Sequence, residues 1–194
     1  MADLVGFSSS EDHDTEFLKR YNKIITDEDD VYILGDLMLN NNEHGLNILN
    51  QLNGKIHIIL GNHDTTTREE LYRGCRNVVE ICLSKILKIG KQYYFLCHYP
   101  TITANYDDKP YKQHLINLHG HTHFKEKFYN DNPFMYNVAL DAHNCYPVSI
   151  EQIDMDIHEY IQELYKEQQH SKREYYENSL EYFERHPLGM EILD

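Results

Sequence analysis

The sequence predicts an α/β fold. Short apolar runs rich in β-branched residues alternate with segments whose apolar residues recur at helical spacing. Four of those runs stop at glycine, asparagine, aspartate or histidine, the places where a strand gives way to a functional turn. Beyond Pro147 the strand pattern ceases, and one long, densely charged helical pattern takes over.

The elements follow in order. Ser8 and Glu11 stand at capping-box spacing, and Phe17, Leu18, Tyr21, Ile24 and Ile25 continue at helical intervals. The acidic stretch from Asp27 to Asp30 ends that helix. Val31-Tyr32-Ile33-Leu34 is a short continuous apolar run, as expected of a strand covered on both faces, and Gly35-Asp36 stops it. Leu46, Ile48, Leu49 and Leu52 predict a helix broken at Asn53-Gly54. Ile56 to Leu60 is a second buried strand, closed by Gly61-Asn62-His63-Asp64. A short helix is expected from Thr67 to Arg73, one or two strands between Val78 and Ile89, and a strand from Tyr93 to Cys97 ending at His98. The polar stretch from Asn105 to Lys112 contains Pro110 and reads as a loop. Leu115 to Leu118 leads into His119-Gly120-His121-Thr122-His123, and Phe134 to Val138 is a late strand. Ser149 and Gln152 mark a helix start. Ile153, Ile157, Tyr160, Ile161, Leu164 and Tyr165 then make one apolar stripe, and the charged helical pattern runs on to Pro187 and Gly189. The expected organisation is a domain over 1–153 and a C-terminal helical extension over 154–194.

Composition bounds the function. The chain has 194 residues, enough for one sizeable core. Its 18 Lys and Arg against 32 Asp and Glu give a net charge of −14, which argues against charge-driven binding to nucleic acid or an anionic membrane. No apolar run approaches the length of a membrane span, and the first residues lack the basic and apolar regions of a signal peptide. Cys75, Cys82, Cys97 and Cys145 are scattered, with no CxxC pair, and are expected to be reduced thiols in the cytoplasm.

Ligands in open α/β sheets bind at the carboxyl ends of strands, so the clusters at Asp36, Asn62-His63-Asp64, His98 and His121-Thr122-His123 are expected to converge on one rim. Their donors are a carboxylate, an amide oxygen and several imidazoles. That mixture suits Mn, Fe, Zn, Ni or Co better than Mg or Ca. His119 falls within its strand and reads as structural. Asp141 and His143 read more readily as packing residues than as pocket residues, and Arg68 as a solvated helix residue rather than a phosphate ligand.

Gly35-Asp36, Gly61-Asn62-His63-Asp64, His98 and Gly120-His121-Thr122-His123, in this order and at this spacing, resemble the signature of the calcineurin-like metallophosphoesterases. The resemblance spans roughly residues 7–153 and is closest to the small bacterial and phage-type single-domain members. It implies a layered α-β-β-α sandwich. It also implies a metal-dependent hydrolase of a phosphomonoester or phosphodiester, acting by attack of metal-activated hydroxide on phosphorus. In that reading Asp36 bridges two metals; Asn62, His98 and His121 complete the second-metal site; His123 belongs to the first. His63 serves the leaving-group oxygen, and Asp64 is expected to hold the His63 ring by a hydrogen bond. The metal is expected to be Mn, with Fe, Zn, Ni or Co as alternatives. The substrate would be a phosphorylated small molecule, a nucleotide or a phosphoprotein, and an oligomer stays open. The family begins with a strand ending in Asp-x-His that supplies two ligands to the first metal, and this sequence shows no such strand. The intact family site holds two metals, and here the expectation is one held tightly. Asp12-His13-Asp14 has the right residue types without the spacing. The alternative reading is a truncated or degenerate member that binds metal with little activity and acts as a binding or scaffold protein.

Overall fold

A computed structural model describes the backbone of residues 10–39, 41–103 and 114–185, and side chains within those stretches from residue 14 to residue 171. The expected Ser8 cap and the 105–112 loop lie outside them, as do the side chains of Asp12 and His13. The chain divides into two compact units, Met1–Ile153 and Asp154–Asp194.

The first unit carries two sheets. Helix α1 (Ser10–Ile24) precedes strand β1 (Asp30–Ile33), α2 (Asn42–Leu49), β2 (Lys55–Ile59), α3 (Thr66–Arg73) and β3 (Val78–Cys82). Strands β1, β2 and β3 form an all-parallel sheet in that order, with Val31 opposite Ile56 and Ile58 opposite Ile81. Parallel neighbours need a crossover, and α2 and α3 supply it. Both helices start on side-chain caps. Asn41 accepts a hydrogen bond from the His44 amide at 3.1 Å, and Thr65 accepts one from the Arg68 amide at 3.4 Å. Gly54 follows α2 with φ +94°, in the left-handed region that a β-carbon disfavours.

One face of this sheet builds the core. Ile56 and Ile58 alternate with His57 along β2 and pack with Tyr21, Met38, Leu49, Leu52, Tyr72 and Cys75. Each fully buried isoleucine is worth about 1.5–3 kcal/mol of transfer free energy. The opposite face is polar where His57 emerges. Its ring stacks on Tyr32 with centroids 4.4 Å apart and bonds Glu80 at 2.7 Å and Asp30 at 2.9 Å. Lys85 pairs with the same Glu80.

The chain changes sheets at Leu83, which separates β3 from β4 (Ser84–Ile89). Strand β4 turns back through Gly90 to pair antiparallel with β5 (Gln92–Cys97). Strands β6 (Leu115–His119) and β7 (Met135–Asn137) then add in parallel, giving the order β4-β5-β6-β7. Strand β6 is buried from Ile116 to His119, including the polar Asn117, whose amide donates to the Phe95 carbonyl at 3.2 Å. Short 3₁₀ turns occupy Tyr129–Asp131 and Leu140–Ala142.

Helix α4 (Ile150–Arg185) opens with Ser149 accepting from the Gln152 amide at 3.2 Å, as the Ser–Gln spacing predicts. It is 36 residues long, about 54 Å at the α-helical rise. Among the described residues no helix is long and apolar enough to cross a membrane.

Candidate metal centre

Four strand ends meet. Asp36 follows β1, Asn62 follows β2, His98 follows β5 and His121 follows β6. The first two turns belong to one sheet and the last two to the other. Asp36, His98 and His121 each present one atom, all within 4.8 Å of one another. The Nε2 atom of His98 stands at the centre. It lies 3.2 Å from Asp36 Oδ2, 3.0 Å from Asn62 Oδ1 and 3.1 Å from His121 Nδ1. Buried His98 donates its Nδ1–H to the Leu34 carbonyl at 2.6 Å, which orients the ring and turns Nε2 toward the cluster. His98 Nε2 therefore sits among a carboxylate, an amide oxygen and an imidazole nitrogen. His121 is held below the ordinary histidine range, chiefly by desolvation and then by the neighbouring His98, so its ring favours the neutral state. A carboxylate, an amide oxygen and two imidazole nitrogens brought this close together are a fitting donor set for a cation.

Backbone geometry aims these groups. Asp36, His121 and His123 all have positive φ, at 58°, 66° and 52°. Non-glycine residues rarely adopt this region, and such strain concentrates at functional turns. Gly35 precedes Asp36 with φ +90°, and a β-carbon there would stand 2.6 Å from His98 Nδ1. Gly61 serves differently: a β-carbon on it would stand 2.3 Å from Asp36 Oδ1. One glycine lets the chain turn, and the other leaves room for the carboxylate.

Asp64 departs from expectation. The sequence reading gives its carboxylate to the His63 ring. Instead, Oδ2 accepts the backbone amides of Asp36 and Gly61, each at 2.8 Å, and Oδ1 accepts the Tyr72 hydroxyl at 2.5 Å. The carboxylate folds back under its own turn and ties the Asp36 turn to the Asn62 turn. Buried Tyr72 reinforces it, and the phenol is pushed far above its ordinary range by burial and by that aspartate.

His63 donates its backbone amide to Asp36 Oδ1 at 2.8 Å. Its side chain takes no hydrogen bond among the described residues. Arg68 is more than a solvated helix residue. Its guanidinium binds the Asn42 side chain at 3.0 Å and the carbonyls of His63 and Leu39, so it braces the turn that carries His63.

His123 stands outside the cluster formed by Asp36, His98 and His121. Its Nδ1 pairs with Asp141 Oδ2 at 3.0 Å. Asp141 is thus a partner that the sequence reading passed over; no motif marks it, and only its place after the last strand pointed that way. His119 is fully buried in β6 and donates from Nδ1 to the Gly120 carbonyl at 3.0 Å, a packing residue with respect to this cluster. Asp14, from the Asp12-His13-Asp14 triplet, bonds His44 at 2.8 Å on the surface of α1.

Comparison with known proteins gives a consistent setting. A family model described as a calcineurin-like phosphoesterase superfamily domain matches residues 9–138. An uncharacterized protein of Methanocaldococcus jannaschii is 28% identical over 155 residues, covering 76% of each chain. The crystal structure of a protein of unknown function from Aquifex aeolicus superposes with a TM-score of 0.60 at 22% identity. It covers 79% of this chain and 90% of that one, and shows the same fold.

Proposed function

Because the chain belongs to the calcineurin-like phosphoesterase superfamily, we propose that it hydrolyses a phosphomonoester or phosphodiester with the help of a divalent transition metal, Mn being the first choice. The observation that carries this reading is the convergence of Asp36, Asn62 and His121 on the Nε2 lone pair of His98. Those four residues would hold the metal. When bound, the metal supplies Lewis-acid charge to the phosphoryl oxygens and makes water a nucleophile near neutral pH.

The protein's own groups do the rest. Asp36 offers two oxygens, and Oδ1 is already shared with the His63 amide, so the turn that holds the aspartate also positions His63. The His63 imidazole, which takes no hydrogen bond among the described residues, would deliver a proton to the leaving-group oxygen. His123, oriented by Asp141 through Nδ1, keeps Nε2 for a second cation beside Asp36. We assign the protein to the cytoplasm on its four free thiols.

The test is turnover of p-nitrophenyl phosphate and of bis-p-nitrophenyl phosphate by the full chain with added Mn. Hydrolysis that chelator abolishes and Mn restores supports the reading. No hydrolysis of either ester by protein shown to hold metal rejects it, in favour of a metal-binding protein without this activity.

A further inference from the structure

Each imidazole of the candidate metal centre needs something to hold its ring, because a histidine that turns away is no ligand. His98 has the Leu34 carbonyl at Nδ1, and His123 has Asp141. His121 lacks such a partner. Its Nδ1 faces His98 Nε2 at 3.1 Å, and among the described residues its Nε2 makes no hydrogen bond. The residue is exposed and stands at φ 66°, so neither burial nor a relaxed backbone fixes its ring. What packs against that ring is Tyr99, at a centroid distance of 4.8 Å and an interplanar angle of 65°. Tyr99 also meets His98 edge-on at 5.0 Å, and the two imidazoles lie 4.9 Å apart. The three rings close a triangle in the edge-to-face geometry that aromatic groups prefer.

The backbone around Tyr99 is built to keep it there. The residue is 44% exposed, so burial alone does not hold it. Pro100 follows it and confines its backbone to extended geometry. Its carbonyl accepts the Thr101 hydroxyl at 3.0 Å, and the Thr101 amide donates to Asn117 Oδ1 at 2.8 Å. Asn117 is fully buried in β6, the strand that leads into His121. The Gly120 amide donates to the His98 carbonyl at 3.1 Å. Two ties, one through Asn117 and one through Gly120, therefore join the end of β5 that carries Tyr99 to the strand that carries His121. The Tyr99 hydroxyl makes no hydrogen bond among the described residues, so its contact with the two imidazoles is made by the ring.

We infer that Tyr99 is a positioning residue of the metal centre: its ring is the wedge that keeps the His121 imidazole turned with Nδ1 toward Asp36, Asn62 and His98. A packing contact here takes the place that a hydrogen bond takes for His98 and His123. This inference rests on the reading of Asp36, Asn62, His98 and His121 as a metal site and is independent of phosphoester hydrolysis.

The experiment compares the full, chelator-treated chain with Tyr99→Phe, which keeps the ring, and Tyr99→Leu, which keeps apolar bulk without one. Each is checked for folding by circular dichroism, and Mn is titrated into each by calorimetry. Losing the partner that orients a ligand costs roughly 10–100-fold in metal affinity, so Tyr99→Leu should bind Mn at least about 10-fold more weakly. Tyr99→Phe should stay within about 3-fold of the parent, because the edge-to-face contact survives. In the metal-free chains, ¹³C relaxation should report a rigid His121 ring in the parent and in Tyr99→Phe, and a mobile one in Tyr99→Leu. The buried His119 ring is the control for general loosening and should stay rigid throughout. Equal Mn affinity in the parent and in folded Tyr99→Leu overturns the inference, as does an equal loss in both variants. A mobile His121 ring in the parent overturns it without any variant. A parent that binds no Mn rejects the metal reading and this role together. Failure of ester hydrolysis by a parent that binds Mn rejects the phosphoesterase reading and leaves the assignment of Tyr99 standing.

Discussion

His63 differs from its neighbours in where its bonds go: its backbone is pinned at both ends, by Asp36 and by Arg68, while its ring takes no hydrogen bond among the described residues. His63→Ala should therefore cut turnover by about 10²–10⁴-fold, the usual cost of losing a general acid, with the metal content found by mass spectrometry unchanged. Gly61 makes the opposite prediction. A methyl there collides with the Asp36 carboxylate, so Gly61→Ala should weaken metal binding at least about 10-fold in a protein that still folds, as read by calorimetric titration with Mn. Tyr72→Phe removes one donor from Asp64 and should cost about 1.5–3 kcal/mol in urea unfolding, the range for a hydrogen bond to a charged group. An unfolding midpoint equal to that of the parent would show that the two amide donors suffice.

At the scale of elements, the His57–Glu80–Lys85 cluster joins β2, β3 and β4 across two sheets. The Lys85 ammonium, then the His57 ring, holds the Glu80 carboxyl below its ordinary value of 4.5. A lowered folded-state value means that the unfolded chain binds the proton more readily. Glu80 thus contributes stability above pH 4.5 that is lost as pH falls through the lowered value. The urea midpoint of Glu80→Gln should fall less steeply between pH 6 and pH 3 than that of the parent; parallel curves would remove Glu80 from the account. The strands themselves were readable because β-branched runs such as Ile56 to Ile59 have few other uses. Their pairing was not, since one residue, Leu83, sends the chain from a parallel sheet to a mixed one, and no local pattern encodes that choice. The four converging positions could be read off because each follows a strand end. The bond from Asp141 to His123 and the return of Asp64 beneath its own turn depend on through-space neighbours, and a linear sequence does not display those.

For the molecule as a whole, metal and fold are linked. A ligand that binds only the folded state stabilises it by about 2.7 kcal/mol when present at 100 times its dissociation constant. Added Mn should accordingly raise the unfolding temperature, and Asn62→Ala should remove most of that increment while leaving the metal-free midpoint near the parent's. An equal increment in the variant would move Asn62 out of the donor set. The donors come from strand ends separated along the chain by 26, 36 and 23 residues, two from each of two sheets that share no strand. An ion gripped by all four is in effect a removable cross-link. It pins three long loops at a single point in the folded state, the one state in which its four donors converge. Availability of the metal would set how long each molecule survives proteolysis as well as how fast it reacts.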